Sequence, residues 1–157
     1  MKIALCFSGQ ARAVKSGYEY YKQNLLDHYD VDVFFHTWNF PDMQEMVDLY
    51  KPVSYQNEEQ FTTDADTKYT NTPNIIKHPP RYTYYMLHSM NECKKLMEKS
   101  NIKYDWVIKT RTDFALNVNI PFTELDNRNL YISNCRMVPE RDFGNDQFAF
   151  SSQEIMM

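Results

Sequence analysis

A chain of 157 residues suffices for one domain of ordinary size that buries about two-thirds of its unfolded surface in a single core. Its formal net charge of -4 provides no basic field to gather a polyphosphate, so nucleic acid is excluded as an expected partner while one small anion is not. Cys6, Cys93 and Cys135 are too scattered for a disulfide framework and read as reduced thiols, and the apolar run Ile3 to Phe7 is too short for a signal peptide or a membrane span, so a cytoplasmic protein is expected.

Lys2 to Phe7 is a continuous apolar run ending in Ser-Gly, the pattern of a strand buried on both faces of a parallel sheet. Val14, Tyr18, Tyr21 and Leu25 recur at steps of three and four, which predicts a helix from about Ala13 to Leu26. Val31 to Trp38 reads as a second strand, completing a strand-helix-strand unit of the parallel, right-handed kind. A short helix behind Pro41, with Met43, Met46, Val47 and Tyr50 on one side, and a third strand at Val53 to Gln56 extend the alternation. The expected fold is α/β, a mostly parallel, doubly wound, Rossmann-like sheet in a single domain spanning the chain.

Residues 57–78 break the pattern with Thr, Asp, Asn and Glu, and predict a polar loop that is either a lid serving a site or disordered chain. Pro79-Pro80 then precedes a strong helix from Arg81 to Lys99, whose Met86, Met90, Cys93 and Met97 stripe has the spacing of core packing rather than of a thioether metal site. Tyr104 to Phe114 is the next predicted strand, followed by strands at Leu130 to Ser133 and Gln147 to Ser151. Ser151-Ser152-Gln153-Glu154 is a capping-box pattern that announces a helix at Ile155 with three residues left, so the domain is expected to be truncated at its C-terminus.

Ligands of open parallel sheets bind beyond the carboxyl ends of the strands, which singles out Ser8 to Arg12, His36 to Trp38, Arg111 to Asp113 and Gly144 to Asp146. In the first group Gly9 permits close backbone approach, Ser8 and Gln10 offer hydrogen bonds, the first amides of the following helix face an anion, and Arg12 adds a forked positive charge. The same string also reads as a strand-helix turn with serine as cap. Arg111 and Asp113 lie two apart on an extended segment, hence on one face and about 6 to 7 Å apart along it. Asp113 is suited to a divalent cation that neutralises a diphosphate, with Arg111 sharing that task, or the two form a structural ion pair. Asp64-Ala65-Asp66 has the letters of a metal motif but no strand before it, and reads as solvated loop. His36 is a donor-site candidate or a hydrogen-bonded packing residue. Asn145 and Asp146 stand in a turn that would face the same cleft.

Four segments together, KIALCFSGQAR at Lys2 to Arg12, VDVFFHTW at Val31 to Trp38, YDWVIKTRTDF at Tyr104 to Phe114 and FGNDQFAFSS at Phe143 to Ser152, resemble the GT-A-type glycosyltransferase-like proteins of polysaccharide gene clusters and of large viruses and phages. The resemblance implies transfer of a sugar from a nucleotide-diphospho-sugar to a glycan or other acceptor, in the host cytoplasm if the chain is viral. It implies a donor held by Ser8, Gly9, Gln10, Arg12, His36, Arg111 and Asn145, a divalent cation (Mn2+ or Mg2+) at Asp113, and Asp146 with Arg111 as catalytic groups, Asp146 being a general base if the reaction inverts. Arg111 stands where the family has the first acid of its usual pair, which bears on whether metal is needed. The alternative is a truncated, non-catalytic nucleotide-binding or interaction module.

Overall fold

The computed structural model describes residues 1–68, 79–133 and 147–156. Strands β1 (Lys2–Gly9), β2 (Asp30–Trp38), β3 (Ser54–Glu58) and β4 (Trp106–Thr110) are parallel; the short edge strand β5 (Tyr131–Ile132) pairs antiparallel with β6 (Phe148–Ser151), which runs antiparallel to β4. The order across this six-stranded sheet is β3-β2-β1-β4-β6-β5. It is the α/β, mostly parallel sheet that the alternation predicts, with one antiparallel strand inserted near an edge, as mixed sheets commonly carry. The chain winds outward from β1 to β3 and then crosses to the other side of β1 as β4. The β1–β4 boundary is therefore the topological switch point, where a crevice opens beyond the strand ends.

Side-chain parity sorts the core into two layers. Ile3, Leu5, Phe7, Val33, Phe35, Trp106 and Ile108 join Val14, Tyr21, Met46 and Tyr50 in one cluster, on the face covered by α1 (Val14–Tyr21) and α2 (Met43–Tyr50). Ala4, Cys6, Phe34 and Val107 alternate with them and meet Cys93, Leu96 and Met97 on the other face. Small side chains on β1 at that face let the long helix above it approach closely. The period of two thus makes a sheet wound on both faces out of nearly continuous apolar runs.

Several boundaries differ from the expectation for local reasons. The predicted helix to Leu26 is α-helical only to Tyr21 and closes with a π-helical turn over Lys22–Leu26, which still buries Leu25. Residues 57 and 58 extend β3 beyond its predicted end, and α3 (Ala65–Lys68) is a single helical turn where loop was expected, with the Ala65 N–H donated to Thr63 Oγ1 at 3.2 Å. Asp64, before that turn, is exposed and paired with Lys68 at 2.9 Å. Residues 69–78 of the predicted loop lie outside the described residues, as do Cys135 and the Phe143 to Asp146 turn.

Helix α4 (Pro80–Lys99) opens on Pro80, whose missing N–H costs nothing in a first turn. Its buried row is Ser89, Cys93, Leu96 and Met97, and it packs on β1, β2 and β3. Met97 meets the Cys6 thiol with sulfurs 3.9 Å apart, core packing as the spacing predicted, whereas Met86 and Met90 of the predicted stripe are only half-buried and Met86 lines the crevice at the switch point. A hydrogen bond with Cys6, and then burial, push the Cys93 thiol well up, so it stays protonated. The last helix, α5 (Gln153–Met156), forms where the capping-box pattern places one; Gln153 Oε1 accepts the Tyr104 N–H at 2.8 Å. Among the described residues no helix is long and apolar enough to cross a membrane.

Candidate functional site

The loops that leave β1 and β4 are clamped together by one threonine. Thr112 Oγ1 accepts the Arg12 N–H and donates to the Arg12 carbonyl, both at 2.9 Å. That double bond also explains why β4 stops at Thr110, short of its predicted end at Phe114: Thr112 leaves the ladder to bond across the switch point. Tyr21 braces the same corner by a buried hydroxyl contact to Thr110 Oγ1 at 2.7 Å. Gly9 sits at φ +101°, which other residues rarely adopt, although a Cβ there would meet nothing within 4 Å. Its role is conformational. The Gly9 N–H donates to Ser89 Oγ on α4 at 2.6 Å, tying the loop to the helix above.

A cleft of about 550 Å³ opens at this point, lined by Ser8, Gly9, Gln10 and Arg12 from the first loop, Lys109 and Arg111 from the end of β4, and Trp38, Gln60, Tyr82, Tyr85 and Met86 opposite. Parity accounts for the set. Ser8 continues the Ala4–Cys6 side of β1 and Lys109 the Val107 side of β4, so both project on the α4 face. Arg12, Lys109 and Arg111 thus converge in a protein of net charge -4, against a wall of aromatic rings. Arg12 Nη2 bonds Gln10 Oε1 at 2.9 Å. Arg111 grips Asp113 with both Nε and Nη2, at 2.9 and 2.6 Å.

The first loop and Arg111 therefore meet in one pocket, as expected of separate strand ends. Asp113 does not line the cleft; both its oxygens bind Arg111, the ion-pair arrangement that the sequence left open. Nor is serine the helix cap: α1 begins at Val14 after a left-handed Ala13 with no side-chain cap, and its first turn lies away from the cleft lining. Asn145 and Asp146 lie outside the described residues.

His36 is wholly buried and stands behind the cleft rather than in it. Its Nδ1 lies 2.8 Å from Ser89 Oγ and its Nε2 3.0 Å from Glu58 Oε1; His88 Nε2 reaches that same oxygen at 2.7 Å. Burial lowers the His36 pKa from its ordinary value, against the pull of Glu58. Burial works to raise that of Glu58, but the hydrogen bonds from His88 and His36 outweigh it and hold the carboxyl below its usual range. His36, Glu58 and His88 are a group that could hold a metal ion.

Compared with known proteins, the chain matches no family model, no curated protein and no solved structure. The functional argument accordingly rests on this geometry.

Sequence reasoning missed Lys109, Glu58, Ser89 and His88. Lys109 left a trace, a cation interrupting the apolar run Trp106-Val107-Ile108 near a strand's carboxyl end. Ser89 left another, a hydroxyl in the buried row of an otherwise apolar helix face. Ser89→Ala is expected to cost about 2 kcal/mol in urea unfolding, because it strands the half-buried Gly9 N–H and the buried His36 ring nitrogen together. Unchanged stability would show that the hydroxyl is dispensable to the clamp.

Proposed function

We propose that this chain binds a nucleotide-diphospho-sugar and transfers its sugar to a glycan or other acceptor, as the GT-A resemblance implies. One observation carries the reading: Arg12, Lys109 and Arg111 converge with the Ser8–Gln10 loop in an aromatic-walled cleft at the β1–β4 switch point. The diphosphate takes the cationic side, where forked guanidinium groups match phosphate oxygens. The base and ribose lie over the first loop toward Trp38, Tyr82 and Tyr85, which offer flat apolar faces. In this reading a divalent ion, Mn2+ or Mg2+, joins Asp113 and diphosphate oxygens when Arg111 turns from the carboxylate to the phosphate. Hard oxygen ligands suit both ions.

A second reading, a nucleotide-binding or interaction module that transfers nothing, is favoured by the closed Arg111–Asp113 pair, since both oxygens of that carboxylate already engage the guanidinium. Titrating the protein with uridine, guanosine, cytidine and thymidine diphosphates, with and without manganese, tests both through tryptophan fluorescence, Trp38 lining the cleft and Trp106 lying in the core. At least one is expected to bind with a dissociation constant below about 1 mM. Assays with the matching nucleotide-sugars then decide: Asp113→Asn abolishes transfer or donor hydrolysis if the carboxylate holds the ion, and unchanged turnover removes it from that role. Binding without turnover selects the second reading in its nucleotide-binding form; no binding by any nucleotide defeats transfer and leaves only an interaction module.

A further inference from the structure

The His36–Glu58–His88 cluster is built by the same parity as the cleft but does not belong to its lining. On paired strands His36 faces Gln56, and Trp38 faces Glu58, so the α4 face of β2 and β3 carries His36 and Glu58 one step apart. Helix α4 places His88 above them. Its ring is stacked on Trp38 with centroids 5.6 Å apart at 20°, and edge-on to Phe61 at 4.9 Å, so Nε2 is aimed by packing on both sides.

The hydrogen bonds behind His36 set its tautomer. Ser89 Oγ receives the Gly9 N–H and donates its single proton to the His36 carbonyl at 3.0 Å. Satisfying its third contact as well requires the His36 Nδ1–H to be the donor. His36 Nε2 then faces Glu58 Oε1 3.0 Å away across a gap that a proton bridges in the metal-free protein and that a metal cation can occupy in its place. A ring nitrogen held by an outer hydrogen bond, with the other free to ligate, is how metal-binding histidines are oriented.

We propose that His36 Nε2, His88 Nε2 and Glu58 Oε1 form a zinc site, with water completing a tetrahedral shell. Two imidazole nitrogens and one carboxylate oxygen are a ligand set that zinc takes and that magnesium, which prefers oxygen, does not. The ligand atoms lie within 4.8 Å of one another. Tetrahedral zinc needs them roughly 3.3 Å apart, so the two nitrogen–oxygen separations of 3.0 and 2.7 Å must open and the nitrogen–nitrogen separation must settle to the same value. Glu58 and His88 side chains are 31% and 26% exposed, which gives the ion a route in, whereas His36 is sealed beneath. The bound ion pins α4 to β2 and β3 beside the cleft. The site stands independently of sugar transfer, whose ion belongs at Asp113.

The test is calorimetric titration of the untagged, metal-stripped full chain with Zn2+, paired with Co2+ absorption in the visible to report a tetrahedral nitrogen–oxygen shell. One equivalent is expected to bind with a dissociation constant below about 10 µM and to raise the melting temperature. His88→Ala and Glu58→Gln, both at partly exposed positions that spare the buried His36, are expected to weaken binding at least about tenfold. Asp113→Asn is expected to retain zinc, which keeps failure of this site separate from failure of the transfer reading. Absence of binding at about 100 µM, or binding that survives both His88→Ala and Glu58→Gln, overturns the proposal and leaves a hydrogen-bonded histidine pair.

Discussion

Arg111→Ala is expected to weaken binding of the preferred nucleoside diphosphate by roughly 100-fold, about 3 kcal/mol, at the upper end for charge-assisted hydrogen bonds. Two effects add. The substitution removes a guanidinium from the cationic side of the cleft, and it leaves the neighbouring Asp113 carboxylate without that guanidinium, so its charge repels an incoming anion. Stability should hardly move, because the Arg111 and Asp113 side chains are 36% and 25% exposed and such surface pairs are worth about 0–1 kcal/mol. That split is the diagnostic feature. Arg111→Lys restores the charge but not the planar fork, so partial recovery is expected. Nucleotide affinity equal to that of the unaltered protein would remove Arg111 from the site, and with it the central cation of the proposed donor pocket.

Gly17→Ala is expected to destabilise the fold by about 3 kcal/mol in urea or thermal unfolding, at the high end of overpacking costs. Local propensity argues the other way: alanine in a helix interior is better than glycine by about 1 kcal/mol. Packing overrides it, because a Cβ on Gly17 would be driven into the main-chain carbonyl of Thr112, with the Tyr50 hydroxyl next at 3.7 Å. The carbonyl cannot yield freely, since the Thr112 side chain is itself bonded twice to Arg12. The helix must lift or the clamp must open. Either change also disturbs Arg111, so weaker nucleotide binding should accompany the lost stability. A stabilised variant would show that the contact between α1 and the β4 loop is looser than this geometry requires.

Much of the architecture was legible in the residues. Lys2–Phe7, Val31–Trp38 and the Trp106–Ile108 run announce buried parallel strands because both faces are apolar; helices follow the first two, whereas a long loop follows the third. Period-two parity even places Ser8 on the face of Ala4 and Cys6. What parity does not reveal is which way β6 runs. Its four residues Phe148–Ser151 read alike in both directions, and only pairing with β4 makes the strand antiparallel.

For the site, the division falls between local and long-range chemistry. The sequence by itself determined that polar loops follow β1 and β4, that Gly9 permits an unusual backbone, and that Arg12 and Arg111 stand near strand ends, because these properties depend only on neighbours along the chain. The tertiary structure alone decided that Thr112 joins the loops across 100 residues, that Lys109 lines the cleft, and that His36 meets Glu58, which His88 also reaches. Those partners are separated by 22 to 100 positions, and no local pattern encodes a distance that only the sheet order and the register of α4 create.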